Sequence, residues 1–300
     1  NGETHVGTVL IDPATGQIDP SWTLQARTGT NGGRVSVKSI KIINDHIYLG
    51  GIFTHFQGNG ASWTYARNGA RLDINGKPDR SWNPEFNGSV IDIDVDENEA
   101  YYYAAGYFTR AHDRVVENAG RLSTAAGAEL DQSWTFRHSY LIGKYQQTVT
   151  AANGRVYFGG SQHSLFGYNS DTMTRTSGSI TMYNGGDIQA STRSATGVVY
   201  ASCHCSDYTF QDAYQYLALG NTWTRADEIQ WVGGWDEATG RQLGWTPYRL
   251  GSLRSTGAWA LEMADDGALW AGGDFNYSYT SLTSGQWSGG FVRMPARNTT

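Results

Sequence analysis

Histidines and cysteines are the side chains here that could bind a metal. Four of the seven histidines follow equivalent strand-like segments that recur along the chain, and the two cysteines both lie in Cys203-His204-Cys205. A structural zinc ion needs three or four ligands that converge on one point. Only His163 and His204, in neighbouring repeats, could meet, so the sequence assigns no metal ligand and implies no cofactor. The four histidines are His55, His112, His163 and His204.

Carboxylates could support hydrolysis of glycosidic bonds, which requires two of them about 5–9.5 Å apart. Glu85, Asp187 and Glu262 are the obvious candidates, but no spacing singles out a pair. The aspartate of an Asp-x-Ser-Trp motif recurs several times. A residue needed once for catalysis would not recur with a period, so we interpret these aspartates as turn formers and assign no catalytic residue. They are Asp19, Asp79 and Asp131.

The elements that must position these residues form a repeat. The second glycine of a Tyr-x-Gly-Gly-like segment recurs at Gly51, Gly106, Gly160 and Gly273. The gaps are 55, 54 and 113 residues, and the double gap contains a degenerate copy at Val198–Ser202. The tryptophan of Asp-x-Ser-Trp recurs with gaps of 60 and 52 residues. Two markers with one period indicate five copies of a unit of about 50 residues.

Each unit resolves into four strands, which we name a to d. Strand a alternates apolar and polar residues, strand b carries the glycines, strand c carries Ala-Arg-Leu and strand d carries the tryptophan. The a–b and c–d joints are tight-turn signals, such as Asn153-Gly154 and Asn75-Gly76. Repeated four-stranded meanders are typical of β-propeller blades. The glycine pair is expected to let strand b pass close to a neighbouring backbone or a tryptophan.

Composition excludes two classes of partner. The net charge is -6 and no block of basic residues is present, which argues against nucleic acid because phosphate binding needs clustered Lys and Arg. No apolar run approaches the roughly 18 residues of a membrane span. The chain is rich in glycine and has 13% aromatic residues, as expected of many short strands joined by tight turns.

At these motifs the chain resembles the Delta-60 repeat propellers of secreted actinobacterial and other bacterial proteins. The shared pattern is Tyr-x-Gly-Gly-x-Phe-Thr, then Ala-Arg-Leu, then Thr-Gly-x-x-Asp-x-Ser-Trp. The resemblance covers nearly the whole chain, although the fourth unit has lost most of the pattern. It implies a secreted or cell-surface location and a module within a larger protein, and it offers no catalytic residues.

The predicted fold class is all-β, a β-propeller of four-stranded antiparallel blades in one domain over residues 1–295. Residues 296–300 are expected to begin a C-terminal linker. The N-terminal residues His5–Leu24 form a c–d hairpin without strands a and b. Two versions remain open: six blades with one incomplete in this chain, or five blades closed by the N-terminal hairpin.

A candidate ligand surface lies on the face that carries the b–c and d–a connections, because the other face has only tight turns. The b–c segments are long, and long loops on a rigid scaffold often carry function. They are also rich in aromatic residues, whose rings stack on sugars or anchor protein partners. The alternative is that these loops pack into small cores of their own. The candidate ligand-binding residues are Trp63, Tyr168, Tyr208, Tyr214, Trp223, Tyr277 and Trp287.

These features favour a non-enzymatic extracellular binding or display module with a carbohydrate or protein ligand. Neighbouring domains or another chain of the same precursor are further expected partners. A glycosidase-like propeller enzyme is the first alternative, and a structural subunit of an extracellular assembly is the second. Two carboxylates at glycosidase spacing would favour the enzyme, and an open strand edge paired to a neighbour would favour the assembly.

Overall fold

The computed structural model describes residues 5–29, 33–140, 143–181, 186–220, 222–245, 249–281 and 284–296. Contacts within the chain divide it into unit 1, Asn1–Phe136, and unit 2, Arg137–Thr300, which we describe separately. The single domain over residues 1–295 stays a prediction. Most of the expected linker, residues 297–300, lies outside the described residues. Apart from one 3-10 turn, Ser161–His163, the regular elements of the described ranges are β-strands.

Unit 1 contains two consecutive meanders in which strands a, b and c pair antiparallel, ordered β2-β3-β6 and β7-β8-β11. Strand d is a short segment that touches strand c through single bridges. The strands are β1 Gln25–Arg27, β2 Ser36–Ile43, β3 His46–Ile52, β4 His55–Gln57, β5 Thr64–Tyr65, β6 Gly69–Asp73, β7 Val90–Val95, β8 Tyr101–Gly106, β9 Arg110–Ala111, β10 Arg114–Val115 and β11 Ala119–Ser123.

Unit 2 contains three further meanders, which begin at β12, β16 and β21. The first has four regular strands before it is extended by β18 and β19, the second has three, and the third has four, with β23 and β24 both paired to β22. The strands are β12 Gln146–Ala152, β13 Arg155–Gly160, β14 Ser164–Asn169, β15 Arg175–Thr181, β16 Ile188–Arg193, β17 Val198–Cys203, β18 Tyr208–Gln211, β19 Arg225–Glu228, β20 Val232–Asp236, β21 Arg249–Met263, β22 Leu269–Ser281, β23 Ser284–Trp287 and β24 Phe291–Met294. This repeated order is that of β-propeller blades, so the predicted fold class is confirmed.

The glycine pair of strand b is explained by two close approaches. A Cβ on Gly51 would lie 2.1 Å from the carbonyl oxygen of Ser36 at the start of strand a, and Gly106 meets Ser89 in the same way. A Cβ on Gly50 would lie 2.6 Å from Ile93 in the next meander. The first glycine therefore leaves room for a side chain of the next meander, and the second leaves room for the backbone of strand a. The sequence predicted such close approaches.

Strand a of every meander contains a β-bulge near its start, on the face that carries the b–c connections. The extra residue of a bulge leaves the ladder, which re-aims its side chain. In unit 2, Gln147 points to Asp187 and Gln189 to the carbonyl of Thr256, each in the next meander. The bulge residues are Lys38, Ile91, Gln147, Gln189 and Trp259.

The Ala-Arg-Leu and Asp-x-Ser-Trp motifs are linked by an ion pair between strands c and d. Arg121 Nη2 lies 2.6 Å from Asp131 Oδ2, and the arginine side chain is only 7% exposed. Asp131 Oδ1 also accepts bonds from the backbone and hydroxyl of Ser133. Arg71 and Asp79 repeat the arrangement. The two motifs therefore recur together because each supplies half of one interaction.

Trp82, the tryptophan of one strand d, lies between the two meanders of unit 1. Its ring packs edge-on against Tyr48 of β3 and Tyr102 of β8, at centroid distances of 5.4 and 5.0 Å. Its indole nitrogen donates to the carbonyl of Ser123 at 3.0 Å, and the residue is fully buried. The recurrence of this tryptophan predicts equivalent, largely buried positions for all four copies, and the structure bears this out for Trp82 alone. The corresponding Trp22, Trp134 and Trp245 are half-buried.

Candidate functional site

Four of the five segments predicted as long b–c loops contain β-hairpins. In unit 1 these are β4–β5 and β9–β10, and in unit 2 they are β18–β19 and β22–β23. The hairpin β18–β19 pairs through β18 with β15 of the preceding meander and extends that sheet to six strands. The aromatic residues of these segments are thus held on regular backbone, which fixes their direction.

The sequence predicts a long b–c loop over residues Ser161–Gly178, and this prediction is wrong, because the segment forms strands c and d. It contains β14 and the first part of β15, and β14 pairs directly with β13. Tyr168 in β14 is only 3% exposed and packs edge-on against Phe158 at 6.0 Å. Its ring is part of a core and is not presented to a ligand.

Tyr277, Tyr279 and Trp287 form an aromatic surface on one face of the third sheet of unit 2, which we call the aromatic platform. Tyr277 and Trp287 are direct cross-strand partners of β22 and β23, so their side chains share a face. Tyr279 lies two residues further along the same face. Trp287 is 68% exposed and Tyr277 39% exposed.

Glycines flank the aromatic platform on both sides. Gly251 of β21 is the partner of Tyr277, and Gly285 of β23 is the partner of Tyr279. A Cβ on Gly285 would lie 2.5 Å from the Tyr279 ring, and one on Gly251 would lie 3.3 Å from it. Because each tyrosine has a glycine as its partner on one side, the Tyr279 ring can lie over backbone there. Arg249, the partner of Tyr279 on the same row, adds a charged group.

A second group of aromatic residues lies on the β18–β19 hairpin. Tyr208 is 43% exposed and Phe210 half-buried on one face, whereas Thr209 and Gln211 between and beyond them are buried. Trp223 is 41% exposed and packs edge-on against Phe210 at 5.4 Å. The exposed Glu228 lies directly opposite Tyr208, so a carboxylate stands beside an exposed ring.

Trp63 and Tyr214 occupy intermediate positions. The guanidinium of Arg27 lies 4.2 Å above the Trp63 ring in unit 1, and that of Arg175 lies 4.3 Å above Tyr214 in unit 2. Both aromatic residues are half-buried. Each ring has one face covered by a cation, so these two residues contribute less open aromatic surface than the four exposed ones.

The candidate carboxylates are dispersed. Glu85 lies in unit 1, whereas Asp187 and Glu262 lie in unit 2. Asp187 directly precedes β16 at the start of a strand a, and Glu262 is the penultimate residue of β21, at the end of another. They therefore lie toward opposite ends of the strands. Among the residues that the structure describes, no group of three His, Cys, Asp or Glu side chains is placed to hold a metal ion.

Sequence reasoning did not identify four residues of the platform. Tyr279 lies within a predicted b–c segment but is not among the candidate ligand-binding residues. Arg249, Gly251 and Gly285 have no recognisable sequence motif, because their role depends on which residues pair across the sheet. The alternation Tyr277-x-Tyr279 opposite Gly285-x-Trp287 was the available clue. The cysteines of Cys203-His204-Cys205 are disulfide-bonded to each other.

Comparison with family models gives no match for this chain. A search of curated proteins also gives none. Within the described residues, no helix has both the length and the apolarity to cross a membrane.

Several solved structures are similar to this chain. A computationally designed protein, Ika8, has a TM-score of 0.44 at 10% identity, covering 87% of this chain and 72% of its own. The extracellular domain of a one-component system from B. thetaiotaomicron has a TM-score of 0.46 at 15% identity, covering 83% of this chain and 28% of its own. The WD40 repeats of RRP9 have a TM-score of 0.43 at 8% identity, covering 91% and 86%. We draw no functional argument from likenesses at these TM-scores.

Proposed function

We propose that this chain is a Delta-60-type propeller module of a secreted or cell-surface bacterial protein, and that it binds carbohydrate without catalysis. The observation that carries the proposal is the aromatic platform. Exposed large rings held flat on a rigid sheet offer apolar faces to the C–H faces of a sugar ring. They do so at little entropic cost, since their side chains have few rotatable bonds.

Polar groups beside the exposed rings support a sugar ligand over a purely apolar one. Arg249 accompanies the platform, and Glu228 stands opposite Tyr208 on the second aromatic hairpin. Sugar hydroxyls need such donors and acceptors once the ring faces are covered, because polar groups that lose water without a partner are costly. The alternation of rings and charged groups supports carbohydrate as the ligand class.

The separation of Asp187 from Glu262 favours binding over hydrolysis. A glycosidase places its two carboxylates about 5–9.5 Å apart around one bond, whereas these two residues lie toward opposite ends of their strands a. The exposed aromatic residues also lie on hairpins outside the strand a positions where a propeller enzyme carries its acids. The geometry therefore supports a recognition surface.

A glycan array screened with the full chain tests the proposal. We expect saturable binding to a restricted set of glycans, lost when Tyr277 and Trp287 are both replaced by alanine. Phe291→Ala is the matched control, because Phe291 is 60% exposed but lies outside the b–c hairpins. Absence of binding to every glycan, or equal loss in the control, would contradict carbohydrate recognition by the platform.

A further inference from the structure

Asp187 occupies a repeat position that holds serine in the two meanders of unit 1 and a carboxylate in no other meander. The position lies on the strand a side, directly before the residue that pairs with the second glycine of strand b. It is Ser36 in the first meander and Ser89 in the second. In unit 2 this position is Tyr145 in one meander and Asp187 in the next. Residues that the scaffold needs recur with the repeat, so a carboxylate that appears once has another use.

The Asp187 carboxylate has neutral hydrogen-bond partners and no cation. The Tyr145 hydroxyl donates to Oδ2 at 2.6 Å, and the side-chain amide of Gln147 lies 3.4 Å from the same oxygen. No lysine or arginine among the described residues forms an ion pair with it. Asp187 is half-buried, so the structure holds a partly desolvated negative charge without its counterion.

The rings of His163, His204 and Tyr216 lie close enough to Asp187 to feel its charge. The His163 and Tyr216 rings are tilted against each other with centroids 3.9 Å apart, and Tyr140 packs edge-on against Tyr216 at 6.1 Å. His204, whose backbone nitrogen donates to the Asp187 carbonyl, packs against Trp259 at 5.9 Å. Burial lowers the pKa of both histidines although Asp187 acts to raise it. Their rings are therefore neutral at pH 7 and leave the carboxylate uncompensated.

Two strained residues support a functional reason for these side chains. The residue before strand c has a positive φ in every meander, and three of the five use residues that tolerate it, Asn68, Asn118 and Gly290. His163 and Trp231 adopt φ of 62° and 66° at the same position. A bulky residue there is unfavourable, and such strain concentrates at functional sites.

His204 provides an independent sign of a ligand. The disulfide between Cys203 and Cys205 brackets it at the position where other units have Gly-x-Phe. Its Nε2 is buried and has no hydrogen-bond partner among the described residues. A buried polar atom without a partner is unfavourable, and a hydrogen bond from a ligand to this nitrogen would remove that cost.

We infer that Asp187 and the surrounding rings of Tyr145, His163, His204 and Tyr216 bind an organic ammonium group, such as that of an amino sugar. The carboxylate gives a charge-assisted hydrogen bond to the ammonium. The rings attract the cation through their π faces. This site is separate from the aromatic platform and does not depend on the carbohydrate proposal.

Calorimetric titration of the full chain with glucosamine, with N-acetylglucosamine as the neutral match, tests the inference. We expect binding of glucosamine at millimolar concentrations and at least about tenfold weaker binding by Asp187→Asn. That variant can still accept the Tyr145 hydroxyl, and its melting temperature checks the fold. Tyr216→Ala, which removes a ring and leaves the carboxylate, should weaken binding less.

Three results would overturn the inference: no glucosamine binding by the wild type, equal affinity for N-acetylglucosamine, or unchanged affinity in Asp187→Asn. Trp287→Ala should retain glucosamine binding, and Asp187→Asn should retain the glycans bound at the platform. The two sites are therefore tested separately, and failure of one leaves the other standing.

Discussion

Replacing Trp82 with alanine should lower the free energy of unfolding by about 3–5 kcal/mol. The indole is fully buried between two sheets, and its removal leaves a cavity lined by Tyr48 and Tyr102. The substitution also leaves the carbonyl of Ser123 without its side-chain donor. A single change thereby weakens the contact between consecutive meanders in unit 1.

Urea unfolding of Trp82→Ala beside Trp287→Ala measures this effect. The control removes a tryptophan that is 68% exposed, so its free energy of unfolding should stay within about 0.5 kcal/mol of the wild type. Equal unfolding midpoints for all three proteins would refute the packing described for Trp82. Trp22, Trp134 and Trp245 are half-buried, and their replacement should cost less than that of Trp82.

Replacing Asp131 with alanine should destabilise the chain by about 3 kcal/mol, because it leaves the Arg121 guanidinium buried without its carboxylate. Asp19 occupies the same repeat position in another copy and is a matched control. Its backbone nitrogen donates to the carbonyl of Leu10, and that of Asp131 donates to the carbonyl of Arg121. Each carboxylate accepts a bond from the backbone nitrogen two residues later, Ser21 and Ser133 respectively. Leu10 holds the place of Arg121 on strand c, so Asp19→Ala should destabilise the chain much less than Asp131→Ala.

The Asp131 effect should depend on pH. Burial alone would raise the pKa of Asp131, but hydrogen bonds from Ser133 and the Arg121 charge bring it below its ordinary value. A lowered folded-state pKa stabilises the protein above the unfolded value of about 3.9. This contribution is lost as the pH falls through the folded-state pKa. The difference between wild type and Asp131→Ala should therefore shrink from pH 7 to pH 3, and a constant difference would contradict the ion pair.

The repeat and its strands could be predicted from sequence because each depends on residues close together in the chain. Gly51 lies where the backbones of strands a and b approach, and Asp131 with Ser133 forms its turn locally. Such requirements recur with every copy and are visible as a period. The ion pair between strands c and d joins residues that are 10 positions apart in the sequence. It also recurs, but its geometry is visible only in the structure.

The long-range pairings could not be predicted. Strand β18 pairs with β15, which belongs to the preceding meander, and no local pattern indicates this. The segment Ser161–Gly178 was predicted as a loop because its unit lacks the Ala-Arg-Leu marker that identifies strand c elsewhere. The aromatic residues were chosen by type, whereas their exposure depends on register. Tyr168 is therefore buried while Tyr277 and Trp287 are exposed.

The proposed Asp187 site rests on exceptions to the repeat. The Cys203–Cys205 disulfide occurs where three other units have Gly-x-Phe, and Asp187 is the one carboxylate at its repeat position. The fourth unit thus loses the motif in the region where this carboxylate lies. Sequence alone shows the loss of the pattern, and the placement of the substituted side chains around one carboxylate comes from the fold.

Carbohydrate recognition by exposed aromatic hairpins is tested most directly by the affinity of the double variant Trp223→Ala, Trp287→Ala for the glycan that the array identifies. Both side chains are exposed, so the melting temperature should be nearly unchanged. Loss of two stacking surfaces should weaken binding at least about tenfold, or 1.4 kcal/mol, by isothermal titration calorimetry. Wild-type affinity in a folded double variant would contradict the account.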